Sequence, residues 1–105
     1  MDRLAQLKKF IEEDPGDPFN FYVLALEFQK TDPLQAGRLF EELVNNHPGY
    51  LPTYYPYAHL LIEFRDYINA EKIFLQGIET ARNCNDFKTM RELQAACADW
   101  KNEME

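Results

Sequence analysis

Two histidines, His47 and His59, and two cysteines, Cys84 and Cys97, are the side chains of this chain most suited to nucleophilic or acid–base chemistry. A thiol activated by a nearby imidazole is a working nucleophile–base pair, and such a pair can be assembled from distant parts of a chain. The chemistry also needs a group that orients the base and donors for a developing oxyanion. Nothing in the sequence supplies them. Gly16, Gly37, Gly49 and Gly77 are isolated, so no glycine-rich loop can cradle a phosphate. Cys-x-x-Cys, His-Glu-x-x-His and calcium-loop spacings are missing, which leaves no metal or cofactor to expect. The acid pairs Glu12-Glu13 and Glu41-Glu42 fall on polar helix faces, whereas acid–base work needs buried carboxylates. His47 belongs to a helix-ending turn. The chain is expected to be no enzyme.

A different set of residues suits binding. Tyr22, Leu26 and Gln29 are spaced i, i+4, i+7, and Tyr55, His59 and Ile62 repeat that spacing 33 residues later. Each trio runs beside a separate apolar stripe on the same stretch of chain. A helix with a single buried face would carry charges here. Instead these positions hold aromatic, aliphatic and uncharged polar groups, with Phe19, Lys88 and Arg91 placed to extend the same surface. Aromatic rings with a polar tip offer much contact area for little lost conformational entropy. Two readings stay open: contact with a ligand, or mutual packing of Tyr22, Tyr55 and their neighbours.

The bulk properties narrow the partners. The 105 residues are 46% hydrophobic and 14% aromatic, which suits one folded domain over 1–105 rather than a disordered segment. Eighteen acidic and eleven basic residues leave a net charge of −7. That balance opposes a phosphate backbone, and Lys8-Lys9 is too small a basic footprint for nucleic acid or an anionic membrane. No signal-peptide-like or membrane-spanning run is found. The expected location is therefore cytoplasmic, with Cys84 and Cys97 as free thiols. The acidic envelope favours basic over acidic partners.

The elements that must position these side chains are helices. Apolar residues at helical spacing predict six, at about 3–13, 18–30, 33–46, 52–64, 67–83 and 86–103. Leu4, Leu7, Phe10 and Ile11 form one face of the first, and Asp14-Pro15-Gly16 ends it. Asp17-Pro18 and Asp32-Pro33 pair a capping aspartate with a proline at the first helical position. The third helix buries Ala36, Leu39, Phe40, Leu43 and Val44. The fourth carries Pro56 at its fifth residue, where loss of one backbone bond is a mild cost. In the fifth, Asp66 is the cap and Tyr67, Ala70, Ile73, Phe74, Ile78 and Ala81 form the stripe. Gly77 in that helix should cost about 0.5–1 kcal/mol unless another helix packs closely on it. Asn85 or Asp86 caps the sixth, with Phe87, Met90, Leu93, Cys97, Trp100 and Met104 along one side.

The stripes repeat. Phe21-x-x-Leu24-Ala25-x-x-Phe28 and Ala36-x-x-x-Phe40 are matched by Tyr54-x-x-Tyr57-Ala58-x-x-Leu61 and Ala70-x-x-x-Phe74, and the two alanines lie 34 residues apart. With Pro48 closing the first copy, the pattern resembles the tetratricopeptide repeat (TPR), in particular short domains of the bacterial type. It departs from it in lacking the leading Trp and in having Arg82 where the second closing Pro would fall. The stretch from Phe28 to Ala36 is also one residue shorter than that from Leu61 to Ala70, which tightens one turn. The resemblance implies an all-α fold: a short right-handed α-α superhelix (solenoid) of about six antiparallel helices. Two full TPR-like units would be flanked by capping helices, and the chain reads as a self-contained short solenoid.

The resemblance further implies that the first helix of each unit lines a concave groove that binds a peptide or protein segment. Phe19, Tyr22, Leu26, Gln29, Tyr55, His59, Ile62, Lys88 and Arg91 are its expected lining. One branch of the family captures chaperone tails through Lys, Asn and Arg on this face. Tyr22, Leu26 and Tyr55-Pro56 occupy the matching places, so that clamp is absent. The expected role is a non-catalytic adaptor or scaffold. The alternative is a homodimer formed through the same apolar surface or through Trp100 and Met104, and an enzyme is the weakest rival.

Overall fold

The computed structural model describes residues 2–104. They form α1 (Arg3–Glu13), α2 (Pro18–Thr31), α3 (Pro33–Asn46), α4 (Tyr54–Glu63), α5 (Tyr67–Asn83) and α6 (Phe87–Met104), with a 3-10 turn over Leu51–Thr53. No strand occurs among the described residues. The all-α expectation holds. The helices divide into two compact units, one ending at Thr53 and the other beginning at Tyr54.

Aspartates start the helices, because a short acceptor side chain satisfies N–H groups that have no partner in the first turn. Asp17 accepts the Phe19 N–H at 3.0 Å, Asp32 that of Gln35 at 3.3 Å, and Asp66 that of Asn69 at 3.4 Å. Pro18 and Pro33 stand in the first turns of α2 and α3 as expected. Asp86, rather than Asn85, caps α6, accepting the Thr89 N–H at 3.1 Å and the Thr89 hydroxyl at 2.8 Å.

The shorter of the two inter-helix turns has a simple cause. Asp32 alone separates α2 from α3: its N–H donates to the Phe28 carbonyl at 2.7 Å while its carboxylate caps the next helix. Between α4 and α5 the chain uses residues 64–66. There Arg65 is left-handed, with φ 61°, and the Asp66 N–H reaches back to the Leu61 carbonyl at 2.9 Å. Asn85, with φ 59°, ends α5 in the same way, the Asp86 N–H donating to Ala81 at 2.9 Å. Asparagine tolerates that conformation; an arginine there costs about 1 kcal/mol of backbone strain.

The start of α4 differs from the expectation. A 3-10 turn precedes it, so α4 begins at Tyr54, not near residue 52. Pro56 is then its third residue, within the first turn, where a missing N–H costs no helical bond. The tighter turn absorbs the proline.

In the first unit α2 and α3 form a helical hairpin, with α1 laid against α2. Leu7, Leu24, Ala25, Ala36, Leu39, Phe40, Leu43 and Val44 are buried, and Arg3 pairs with Glu27 at 2.6 Å across α1 and α2. Phe21 and Phe28 are only half-buried, and Phe10 is exposed. Leu43 explains Phe21. It is buried and occupies the place that Gly77 holds in the second unit, so α3 has no glycine there to admit an aromatic. Phe21 instead borders a cavity of about 70 Å³ with Leu43, Pro15 and His47.

The second unit packs α5 against both α4 and α6. Gly77 is where they meet. A Cβ there would lie 2.8 Å from Cβ and Cγ of Tyr54 on α4 and 2.9 Å from Cδ1 of Leu93 on α6. The glycine is a notch, and the expected exception to its helix cost applies. Tyr54 fills the notch with no exposed surface. Its hydroxyl is satisfied from α5 by Thr80 and Gln76, although burial still pushes its pKa above the ordinary 10.0. Ala58, Ala70, Phe74 and Ala81 are fully buried around it. Along the predicted stripes, Phe87 and Met104 at the two ends of α6 are exposed, because no helix covers them in this unit.

Two tests follow from these contacts. Gly77→Ala should destabilise the chain by about 1–3 kcal/mol in denaturant titration, although alanine is the better helix former by about 1 kcal/mol. Asp86 is held below its ordinary 3.8 by the Thr89 backbone N–H and hydroxyl. A lowered folded-state pKa contributes stability that is full above about pH 5 and is lost as pH falls through the lowered value. Asp86→Ala should therefore lower the unfolding midpoint at neutral pH and converge on the parent under acid conditions.

Candidate functional site

The aromatic residues of the second unit form a continuous series from core to surface. Phe74, fully buried on α5, has His59 of α4 edge-on at 5.9 Å and Trp100 of α6 tilted at 6.0 Å. Tyr55 tops His59 at 4.4 Å, and Tyr67 lies 6.1 Å from Trp100. Tyr55 and His59 are one helical turn apart, which makes their rings neighbours. Tyr55 remains 50% exposed, so half of its surface is left over after this packing.

A cavity of about 160 Å³ opens between α4 and α6, lined by Tyr55, His59 and Ile62 on one side and Ala96, Asp99, Trp100 and Glu103 on the other. It adjoins a wider hollow of about 490 Å³ bordered by Tyr55, Glu92, Ala95, Ala96 and Asp99. Ala95 and Ala96 leave the room; larger residues there would close it. Glu92, Asp99 and Glu103 fall at i, i+7 and i+11 on one face of α6 and put three carboxylates along the opening. Two atoms of the lining are buried without a hydrogen-bond partner among the described residues: His59 Nε2 and Trp100 Nε1.

The structure thus brings Tyr55, His59 and Ile62 to one concavity. Lys88 and Arg91 are exposed on α6 but lie outside the linings of both hollows. In the first unit Tyr22, Leu26 and Gln29 are half-buried on α2, and Phe19 is 55% exposed. Tyr22 meets Tyr50 edge-on at 5.7 Å. Burial raises the pKa of Tyr22, and that of Tyr50 is raised first by burial and then by Tyr22 and Asp17. Part of the Tyr22 ring therefore goes into packing. The carboxylates of α6 escaped the sequence reading because isolated acids on a polar face look solvated. Their signal was periodicity: the acids, the two alanines and Trp100 share one side of the helix.

Of the pair Trp100 and Met104, Trp100 is 91% buried within its own unit and Met104 is exposed. Cys84 is exposed, Cys97 is buried, and both are free thiols. Burial pushes the Cys97 thiol up, against the pull of Lys101. Among the described residues no three His, Cys, Asp or Glu side chains gather where they could hold a metal ion. No described helix is long and apolar enough to cross a membrane.

Solved structures share this fold. The solution NMR structure of a tetratricopeptide repeat domain protein from Salinibacter ruber matches with a TM-score of 0.77 and 41% identity, covering 82% of this chain and 88% of that one. A crystal structure of a tetratricopeptide repeat domain protein from the same organism matches at 0.76 and 39% identity, covering 82% of this chain and 97% of its own. The chain belongs to the tetratricopeptide repeat family. No protein-family profile matches it, and no curated protein does. Tetratricopeptide repeats are protein-interaction modules, and in this one α4 carries the half-exposed Tyr55.

If Tyr55 is surplus to packing while Phe74 anchors the unit, their truncations should separate. Phe74→Ala should cost about 3–5 kcal/mol of stability and Tyr55→Ala no more than about 1 kcal/mol in the same denaturant titration.

Proposed function

We propose that this tetratricopeptide repeat protein is a non-catalytic adaptor that binds an extended or helical segment of a partner protein. The contact surfaces are the Tyr55, His59 and Ile62 stripe of α4 with the facing side of α6 and, in the first unit, the Phe19, Tyr22, Leu26 and Gln29 stripe of α2. The observation that carries the reading is the concavity between α4 and α6, where a half-exposed tyrosine stands over a floor of packed aromatic rings. Sites of this kind concentrate binding energy in a few aromatic anchors, with polar groups around them fixing orientation. Lys88 and Arg91, outside the hollows, would act at the rim. The same reading has the protein working in the cytoplasm, with Cys84 and Cys97 reduced.

Peptides selected from a displayed random library on the parent protein provide the test. Selected segments should lose about tenfold or more of their affinity for Tyr55→Ala, the loss typical of an aromatic anchor. A smaller loss is expected for Tyr22→Ala, whose ring is partly engaged by Tyr50. Selected peptides that bind a still-helical Tyr55→Ala protein unchanged would exclude the α4 surface.

A further inference from the structure

The chemistry of the α4–α6 concavity is specific beyond its shape. Asp99 and Glu103 stand at its mouth, and neither forms an ion pair among the described residues. The nearest cation in sequence, Lys101, is engaged by Glu71 of α5, and that contact raises the Lys101 pKa. Neither carboxylate at the mouth is therefore neutralised by a direct contact. Inside, the Trp100 N–H and His59 Nε2 are cut off from water and unpartnered. An unpartnered polar group beneath a cavity wall is costly, so the wall gains from a polar group that reaches it. Tyr55 presents a half-exposed ring above them.

Resting on the reading of α4 and α6 as a binding surface, we propose that this cavity receives an arginine side chain of the bound segment. A guanidinium is flat enough to stack on Tyr55, carries donors for the two carboxylates, and is weakly enough hydrated to enter an aromatic pocket. Lysine matches the charge but has neither the planar face nor the fork of donors. The cavity of about 160 Å³ has room for a guanidinium and part of its stem. The net charge of −7 adds long-range attraction for a basic segment.

Trp100 is the one tryptophan of the chain, so its indole N–H gives a single, unambiguous NMR cross-peak. Acetyl-Ala-Arg-Ala-amide titrated into labelled protein should move that peak. The peptide with citrulline, which keeps the shape and removes the charge, should bind about tenfold more weakly or worse, and the lysine peptide should fall between. Asp99→Asn with Glu103→Gln should weaken the arginine peptide by about tenfold. Both positions are exposed, so these variants should stay folded, and Ala96→Leu should block the cavity without altering charge. Equal binding of the arginine and citrulline peptides overturns the proposal. So does an unmoved Trp100 peak at about 10 mM arginine peptide, a concentration that would reveal even millimolar affinity. If library-selected segments still depend on Tyr55 in that case, the surface stands and only the arginine is lost. If none does, the surface reading falls as well. A Trp100 peak that moves with protein concentration alone would make a second copy the occupant and also overturn the proposal.

Discussion

The missing side chain at Gly77 is the constraint on which the second unit depends. A methyl group there would overlap Tyr54 of α4 and Leu93 of α6 together, so α5 can hold both helices only because its surface is indented at that point. Close packing makes such an indentation hard to replace, since neighbouring atoms have little room to yield. The intrinsic cost of a helical glycine is offset by what it admits: a fully buried tyrosine whose hydroxyl is met by Thr80 and Gln76. From that contact the positions of α4 and α6 on α5 follow, and with them the concavity that they flank.

The first unit shows what happens without the notch. Leu43 stands at the equivalent place and is itself buried, and Phe21, the counterpart of Tyr54, is left half-buried beside a small cavity. The same repeat pattern thus yields two different local solutions. One tucks its leading aromatic into the core; the other fills the core with an aliphatic chain and holds the aromatic at its margin. The leading aromatic of a repeat is therefore no guide by itself to what is buried.

Within the second unit the boundary between core and surface is a gradient of one material. Phe74 is sealed, His59 and Trp100 are mostly covered, and Tyr55 stands half in water. In the proposed binding reading, packing and recognition use the same stack of rings, and the packed rings beneath Tyr55 lower the entropy that a partner must overcome. Around it the carboxylates of α6 give the opening a sign. Asp99 and Glu103 are not paired with a cation among the described residues, so their charge is available to whatever approaches.

Much of the architecture was legible in the residues. Apolar spacing, Asp-Pro starts and the 34-residue repeat specify six helices and their pairing, because these are local signals whose physics acts within a few turns of chain. The short turn at Asp32 and the role of Gly77 were also visible, the first by counting and the second by its placement on a buried stripe. The Tyr55, His59 and Ile62 trio was legible for the same reason, as a second stripe with no charges. What the tertiary structure alone decided is which faces meet. It placed Asp99 and Glu103 opposite Tyr55, left Lys88 and Arg91 outside, turned Tyr22 toward Tyr50, and stranded the Trp100 N–H. Those outcomes depend on how helices distant in sequence approach one another, and that approach is set by side-chain volumes summed across α4, α5 and α6, which no single stretch of sequence carries.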